Sequence, residues 1–168
     1  IAERNGGGIF AFGGTTTTIA NSTVSNNQAQ ELNGGGIDTS GMMTVRNTTI
    51  TGNSATQGGG GISNDTAQGI LTIEDSTISG NQAVVGGGGA FNNQGATFTI
   101  SRSTVSGNMT TGANATGGGF ANSASTLTIT NSTISGNSGA NGGGVSNNVL
   151  GGTVNLNNST LAGNTATV

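Results

Sequence analysis

Along this chain apolar residues alternate with polar ones in short bursts, as in Leu71, Ile73 and Ile78, with Thr72, Thr77 and Ser79 between them. A period of two is strand patterning, because successive side chains of an extended chain point to opposite faces; a helix would space its apolar residues by 3.6. The bursts recur. The run Leu71-Thr72-Ile73-Glu74-Asp75-Ser76-Thr77-Ile78-Ser79-Gly80-Asn81 has counterparts centred on Thr23, Thr49, Thr104, Thr133 and Thr160, at steps of 26 to 29 residues. A glycine triplet precedes each copy, at 6–8, 34–36, 59–61, 87–89, 117–119 and 142–144, followed by Ile9, Ile37, Ile62, Ala90, Phe120 and Val145.

Three short strands per unit are predicted, around Leu-Thr-Ile, Ser-Thr-Ile-Ser and Gly-Gly-Ile, and no two-residue hairpin signal joins them. A period near 27 is too short for a propeller blade and too long for nine-residue calcium-binding repeats. The fold expected is therefore all-β: a single-stranded parallel β-helix of six coils, one domain over residues 1–168, cut from a longer chain or acting as a stacking subunit. The absent initiator Met fits a mature or excised segment, and residues 1–8 lack a signal-peptide pattern.

Stacking turns each repeated slot into a column. Ile19, Val45, Ile73, Ile100, Ile129 and Leu156 form one expected inward column, and Val24, Ile50, Ile78, Val105, Ile134 and Leu161 another. Asn27, Asn53, Asn81, Asn108, Asn137 and Asn164 fall at one turn, where stacked amides can hydrogen-bond from coil to coil as a structural ladder. Asn64, Asn92, Asn122 and Asn147 follow the triplet strand in four coils. The glycines are expected at a corner that needs positive φ and close backbone approach.

Composition narrows the chemistry. Gly, Thr, Asn and Ser make up 102 of the 168 residues, charged residues only 5%, and Cys, His, Pro, Lys, Trp and Tyr are absent. Without Cys or His, the common zinc, haem and iron–sulfur ligand sets and the Ser-His and Cys-His nucleophile pairs cannot be assembled, so no cofactor or metal is expected. A net charge of -3 supplies no basic patch for nucleic acid or anionic lipid, and no apolar run is long enough to span a membrane as a helix.

The units of form Gly-Gly-Gly-Ile and Leu-Thr-Ile-Thr-Asn-Ser-Thr-Ile-Ser-Gly-Asn, over essentially the whole chain, resemble the right-handed parallel β-helix repeats of bacterial surface proteins in the pectate-lyase-like superfamily. They also resemble polymorphic outer-membrane protein repeats, with Ile78-Ser79-Gly80-Asn81 standing where that family has Phe-x-x-Asn. The resemblance implies a right-handed coil and a secreted or cell-surface module used as an adhesin or a rigid stalk, with other surface proteins or glycans as partners.

Candidate sites are few. Related β-helix enzymes cut polysaccharides with clustered carboxylates and an arginine, but Glu3, Glu31, Asp38, Asp65, Glu74 and Asp75 are spread over different columns, and only Glu74 and Asp75 adjoin. Column arithmetic places Arg46 in the Glu74 slot one coil earlier and Arg102 in the Asp75 slot one coil later, which predicts two surface ion pairs across coils and no catalytic residues. A calcium site at Asp65, Glu74 and Asp75 lacks convergent oxygens. The outward array is Thr23/Ser25, Thr49/Thr51, Thr77/Ser79, Thr104/Ser106 and Thr133/Ser135, ending at Thr160/Ala162, with Thr18, Thr44, Thr72, Thr99 and Thr128 beside it. Thr is a good exposed strand residue in any solenoid, and the array is also a candidate contact face similar to that of ice-binding solenoids. The Asn-Ser-Thr and Asn-Thr-Thr runs at Asn21, Asn47, Asn131 and Asn158 match the glycosylation pattern but follow from the repeat itself. The expected function is thus a non-enzymatic structural or adhesive module outside the cell, capable of self-association through uncapped ends into a filament. Ice binding ranks second and a polysaccharide-active enzyme third.

Overall fold

The computed structural model describes residues 6–148 and 151–167. Among them there is no helix; 24 strands form six coils of four strands each. In the first coil these are Ile9–Ala11, Thr16–Ala20, Thr23–Ser25 and Gln28–Ala29. The three strands expected per coil are present. A fourth, two residues long, is added where the chain continues past the asparagine turn, as at Gln82–Ala83 and Met109–Thr110.

Each strand pairs in parallel with its equivalents one coil before and after, giving four six-stranded sheets. The register is that of the sequence columns: Ile73 pairs with Val45 and Ile100, Ile78 with Ile50 and Val105, and Thr77 with Thr49 and Thr104. Alternation then sends one set of side chains inward. Val45, Ile50, Ile73, Ile78, Ile100, Val105, Ile129 and Ile134 are fully buried. A third inward column comes from Met43, Leu71, Phe98 and Leu127, two residues before the first. In the Gly-Gly-X column Phe120 supplies the bulk and meets Phe98 edge-on at 5.7 Å.

Two of the four corners have constant length. Between the second and third strands, and between the third and fourth, every coil spends two residues. The first residue of each pair takes positive φ, near 50° at Asn21, Asn47, Asp75, Arg102, Asn131 and Asn158, and near 60° at Gly52, Gly80, Gly107, Gly136 and Gly163, with Asn26 in the equivalent place. Asn, Asp and Gly tolerate this region best, which is why they mark the turns. The other two corners absorb the variation in repeat length: the first-to-second strand connection is two residues at 40–41 and five at 65–69.

The triplet glycines serve close approach as expected. An added Cβ at Gly60 would strike the carbonyl oxygens of Gln82 and Gly88, and similar clashes await at Gly35, Gly88 and Gly118. The backbone there hydrogen-bonds directly from coil to coil, Gly35 N to Gly59 O at 2.9 Å and Gly60 N to Gly87 O at 3.0 Å.

Candidate functional site

The third strands place the outward Thr/Ser columns side by side in register, Thr23↔Thr49↔Thr77↔Thr104↔Thr133 and Ser25↔Thr51↔Ser79↔Ser106↔Ser135. All ten of these side chains are exposed or half-buried. Within the array Ser79 donates to Thr51 at 3.3 Å. The fixed two-residue corners on either side keep this sheet at one orientation from coil to coil, so the face is a regular hydroxyl surface.

The asparagine ladder lies just beyond, and it is wholly occupied with structure. Asn53, Asn81, Asn108 and Asn137 are buried. Each backbone N–H and each Nδ2 donates to the Oδ1 of the next coil's asparagine, from Asn27→Asn53 through Asn137→Asn164, at 2.9–3.0 Å. The remaining Nδ2 hydrogen goes to a carbonyl of the preceding coil, as from Asn81 to Ile50 at 3.0 Å. The third glycine of each triplet fits against the ladder: a Cβ at Gly36 would lie 2.9 Å from Asn53 Cγ. The amides therefore hold coils together and have little left to offer a ligand.

A second ladder joins Asn64, Asn92, Asn122 and Asn147 through Nδ2-to-Oδ1 bonds of 2.9–3.1 Å. It stops at Asn64, whose Oδ1 lacks a donor because Thr39 occupies the slot one coil earlier. A third ladder escaped the sequence reading. Ser22, Thr48, Ser76, Ser103, Ser132 and Ser159 each donate their hydroxyl to a carbonyl two residues back where the bond is formed, as Ser76 does to Glu74 at 2.6 Å. All but Ser22, in the first coil, also accept from the backbone N–H of the preceding coil's counterpart, as Ser103 accepts from Ser76 at 3.0 Å. The signal is the second residue of every Asn-Ser-Thr-type run, at a position where the repeat predicts strand and turn residues.

The charges resolve differently from expectation in one respect. Arg102 grips Asp75 with two parallel bonds, Nε to Oδ1 at 2.7 Å and Nη2 to Oδ2 at 2.8 Å. That bidentate hydrogen bond holds the Asp75 carboxyl below its ordinary value. Glu74 is in register with Arg46 but forms no ion pair with it; its carboxylate instead stands 3.7 Å from Arg102. Register sets which Cα atoms are neighbours. The planar fork of Arg102, already oriented by Asp75, provides the better place for the adjacent carboxylate. Asp65 accepts from Asn33 Nδ2 at 2.9 Å and is nearly buried, while Asp38 is fully buried on the outer side of its strand, a placement alternation alone could not forecast. Glu3 lies outside the described residues.

Beside the fourth strands runs a groove of about 620 Å³ lined by Gln28, Gln30, Glu31, Ser54, Thr56 and Gln82, with Ala29, Ala55 and Val84. It holds one carboxylate and several amides, and the sequence reading did not find it, because the two-residue strands that shape it are too short to show alternation. Among the described residues no three of Asp, Glu, His or Cys come together as a metal-binding group, and no helix is long and apolar enough to cross a membrane.

A family model described as a right handed beta helix region matches residues 1–125. No curated protein matches the chain, and no solved structure does.

Proposed function

The chain belongs to the right-handed β-helix family, and from that premise we propose that it is a non-catalytic structural module of an extracellular or cell-surface protein, presenting its hydroxyl faces to surface proteins or glycans. The observation that carries this reading is how the polar groups are used: three hydrogen-bonded ladders consume the amides and hydroxyls of the corners, and the adjoining pair Glu74 and Asp75 shares Arg102. Two carboxylates working as acid and base would face each other across a cleft. The groove beside the fourth strands is lined by a single carboxylate, that of Glu31. The test is an assay of polysaccharide cleavage, by released reducing ends and unsaturated uronate. No release is expected; cleavage abolished by Glu74→Gln or Asp75→Asn would establish an enzyme instead.

Self-association is part of the proposal. Leu156 and Leu161, in the sixth coil, are each 46% exposed although they continue columns that are buried in every earlier coil. Pairing of two copies through this end would cover both. Light scattering against concentration should show reversible association that Leu161→Arg abolishes, and a monomer at every concentration would defeat it.

The register of Thr18, Thr44, Thr72, Thr99 and Thr128, unbroken over five coils, supports a second reading as an ice-binding face. Thermal hysteresis lost on Thr72→Tyr or Thr77→Tyr would favour it, and absence of hysteresis and of ice shaping would remove it.

A further inference from the structure

The slot just before each glycine triplet holds Asn33, Gly58, Gly86, Thr116 and Asn141 in successive coils. Asn5, in the same slot, lies outside the described residues. Asn33 and Asn141 are each followed by a glycine of positive φ, +68° at Gly34 and +71° at Gly142. The same dipeptide thus stands on the same backbone at two levels of the rod.

An Asn-Gly pair carries its own chemistry. Asparagine is a thermolabile side chain, and most so before glycine, which has no Cβ to crowd the approach to its nitrogen. That nitrogen attacks the asparagine Cγ; a C–N bond forms, and Nδ2 leaves as ammonia with the proton that the glycine nitrogen gives up. Water then opens the resulting succinimide at either carbonyl, which leaves aspartate or isoaspartate. Nothing is oxidised or reduced, and water is the sole co-reactant.

The side chain must turn until Cγ meets the next nitrogen, and here the two sites differ. Asn33 is half-buried and held at both ends: Nδ2 donates to Asp65 Oδ2 at 2.9 Å, and Oδ1 accepts from Gly58 N at 2.9 Å. The nitrogen it would need is engaged too, Gly34 N donating to Gly58 O at 2.9 Å. Asn141 is exposed, and among the described residues its amide makes one contact, Nδ2 to Ala115 O at 3.4 Å, longer than an ordinary hydrogen bond. Its main chain is nevertheless fixed, with Asn141 N donating to Ala115 O at 2.9 Å and Asn141 O accepting from Gly117 N at 2.8 Å.

We propose that Asn141-Gly142 is a site of spontaneous deamidation, and that the clamp from Asp65 and Gly58 keeps Asn33-Gly34 intact. The isoaspartyl product puts an extra atom into the main chain directly before Gly142. That glycine opens the triplet whose third member packs on the asparagine ladder, an added Cβ at Gly144 lying 3.0 Å from Asn164 Cγ. The same change displaces the carbonyl that receives Gly117 N. The damage therefore falls on the joint between the fifth and sixth coils.

The test is incubation of the full chain at mildly alkaline pH, native and in denaturant, followed by peptide mapping with mass spectrometry and isoaspartate-specific methylation. In the native chain the Asn141 peptide should convert at least about tenfold faster than the Asn33 peptide, and in denaturant the two rates should converge. Asp65→Ala, which removes one end of the clamp, should speed native conversion at Asn33 and leave Asn141 as it was. Equal native rates at the two sites overturn the proposal. So does an Asn141 that stays intact in the native chain while converting in denaturant, or a gap of the same size in denaturant, since local sequence would then set it. An Asn33 rate unmoved by Asp65→Ala overturns the clamp. Should that variant fail to fold, the native-to-denatured ratio in the wild type decides: near one at Asn141 and far below one at Asn33 is expected, and the same ratio at both sites overturns the proposal.

Discussion

Ile78 and Leu161 occupy the same slot of the same repeat, yet Ile78 is fully buried and Leu161 is 46% exposed. The same holds for Ile73 and Leu156. Their strands place them alike: each is paired in register with the inward residue of the coil before. The difference is the coil that follows. The central columns are stacked on both sides, so the central coils and the sixth coil carry one pattern with two energetic values. The first coil is unlike the sixth, since Ile19 and Val24 are only 8% and 7% exposed.

This contrast can be broken most severely at the glycine corner. Gly60→Ala would drive a Cβ into two backbone carbonyls of the neighbouring coil and should cost more than about 4 kcal/mol, seen as loss of the cooperative unfolding transition. Gly163→Ala has open space around its Cβ and faces only the strain of positive φ, on the order of 1–2 kcal/mol. Next in size, Ile78→Ala should cost about 2–5 kcal/mol in chemical denaturation, and Leu161→Ala under about 1 kcal/mol. Equal losses at the two sites would mean that the sixth coil is covered in solution, by a second copy or otherwise. Asn81→Ala should follow at about 2–3 kcal/mol, because it strands buried N–H groups of Asn53 and leaves its own partners without a donor. Asn164→Ala, at the half-buried end of the ladder, should cost about 1 kcal/mol. Smallest of all, Arg102→Ala at the exposed corner should leave the unfolding midpoint unchanged at moderate salt, since the ion pair it removes is open to water.

Much of this architecture was legible in the sequence because a β-helix repeats its physical problem every coil. The spacing of Thr23, Thr49, Thr77, Thr104, Thr133 and Thr160 set the coil, the alternation set the inward columns, and the recurrence of Asn27 through Asn164 set the ladder. What stayed hidden lay where repetition stops informing. Gln28–Ala29 and its equivalents are too short for a period of two to be visible. Ser76 and its column read as strand until the corner geometry showed hydroxyls reaching back two residues. Arg46 was matched to Glu74 by register, but side-chain reach follows the fork of Arg102. Asp38 is fully buried although it alternates with the inward Ile37, a departure from the repeat that the period of two does not contain.

That division between constant and variable corners has a consequence for engineering the molecule. The two-residue corners at 75–76 and 80–81 cannot be lengthened without breaking a ladder, so the surface between them behaves as a fixed ruler. The five-residue connection at 65–69 already exceeds its two-residue counterpart at 40–41, and Ala67 and Gln68 at its tip are exposed. A foreign loop grafted there would be carried at a known height on the rod while the hydroxyl face stays undisturbed, making the coil count itself a way to set the distance between displayed segments.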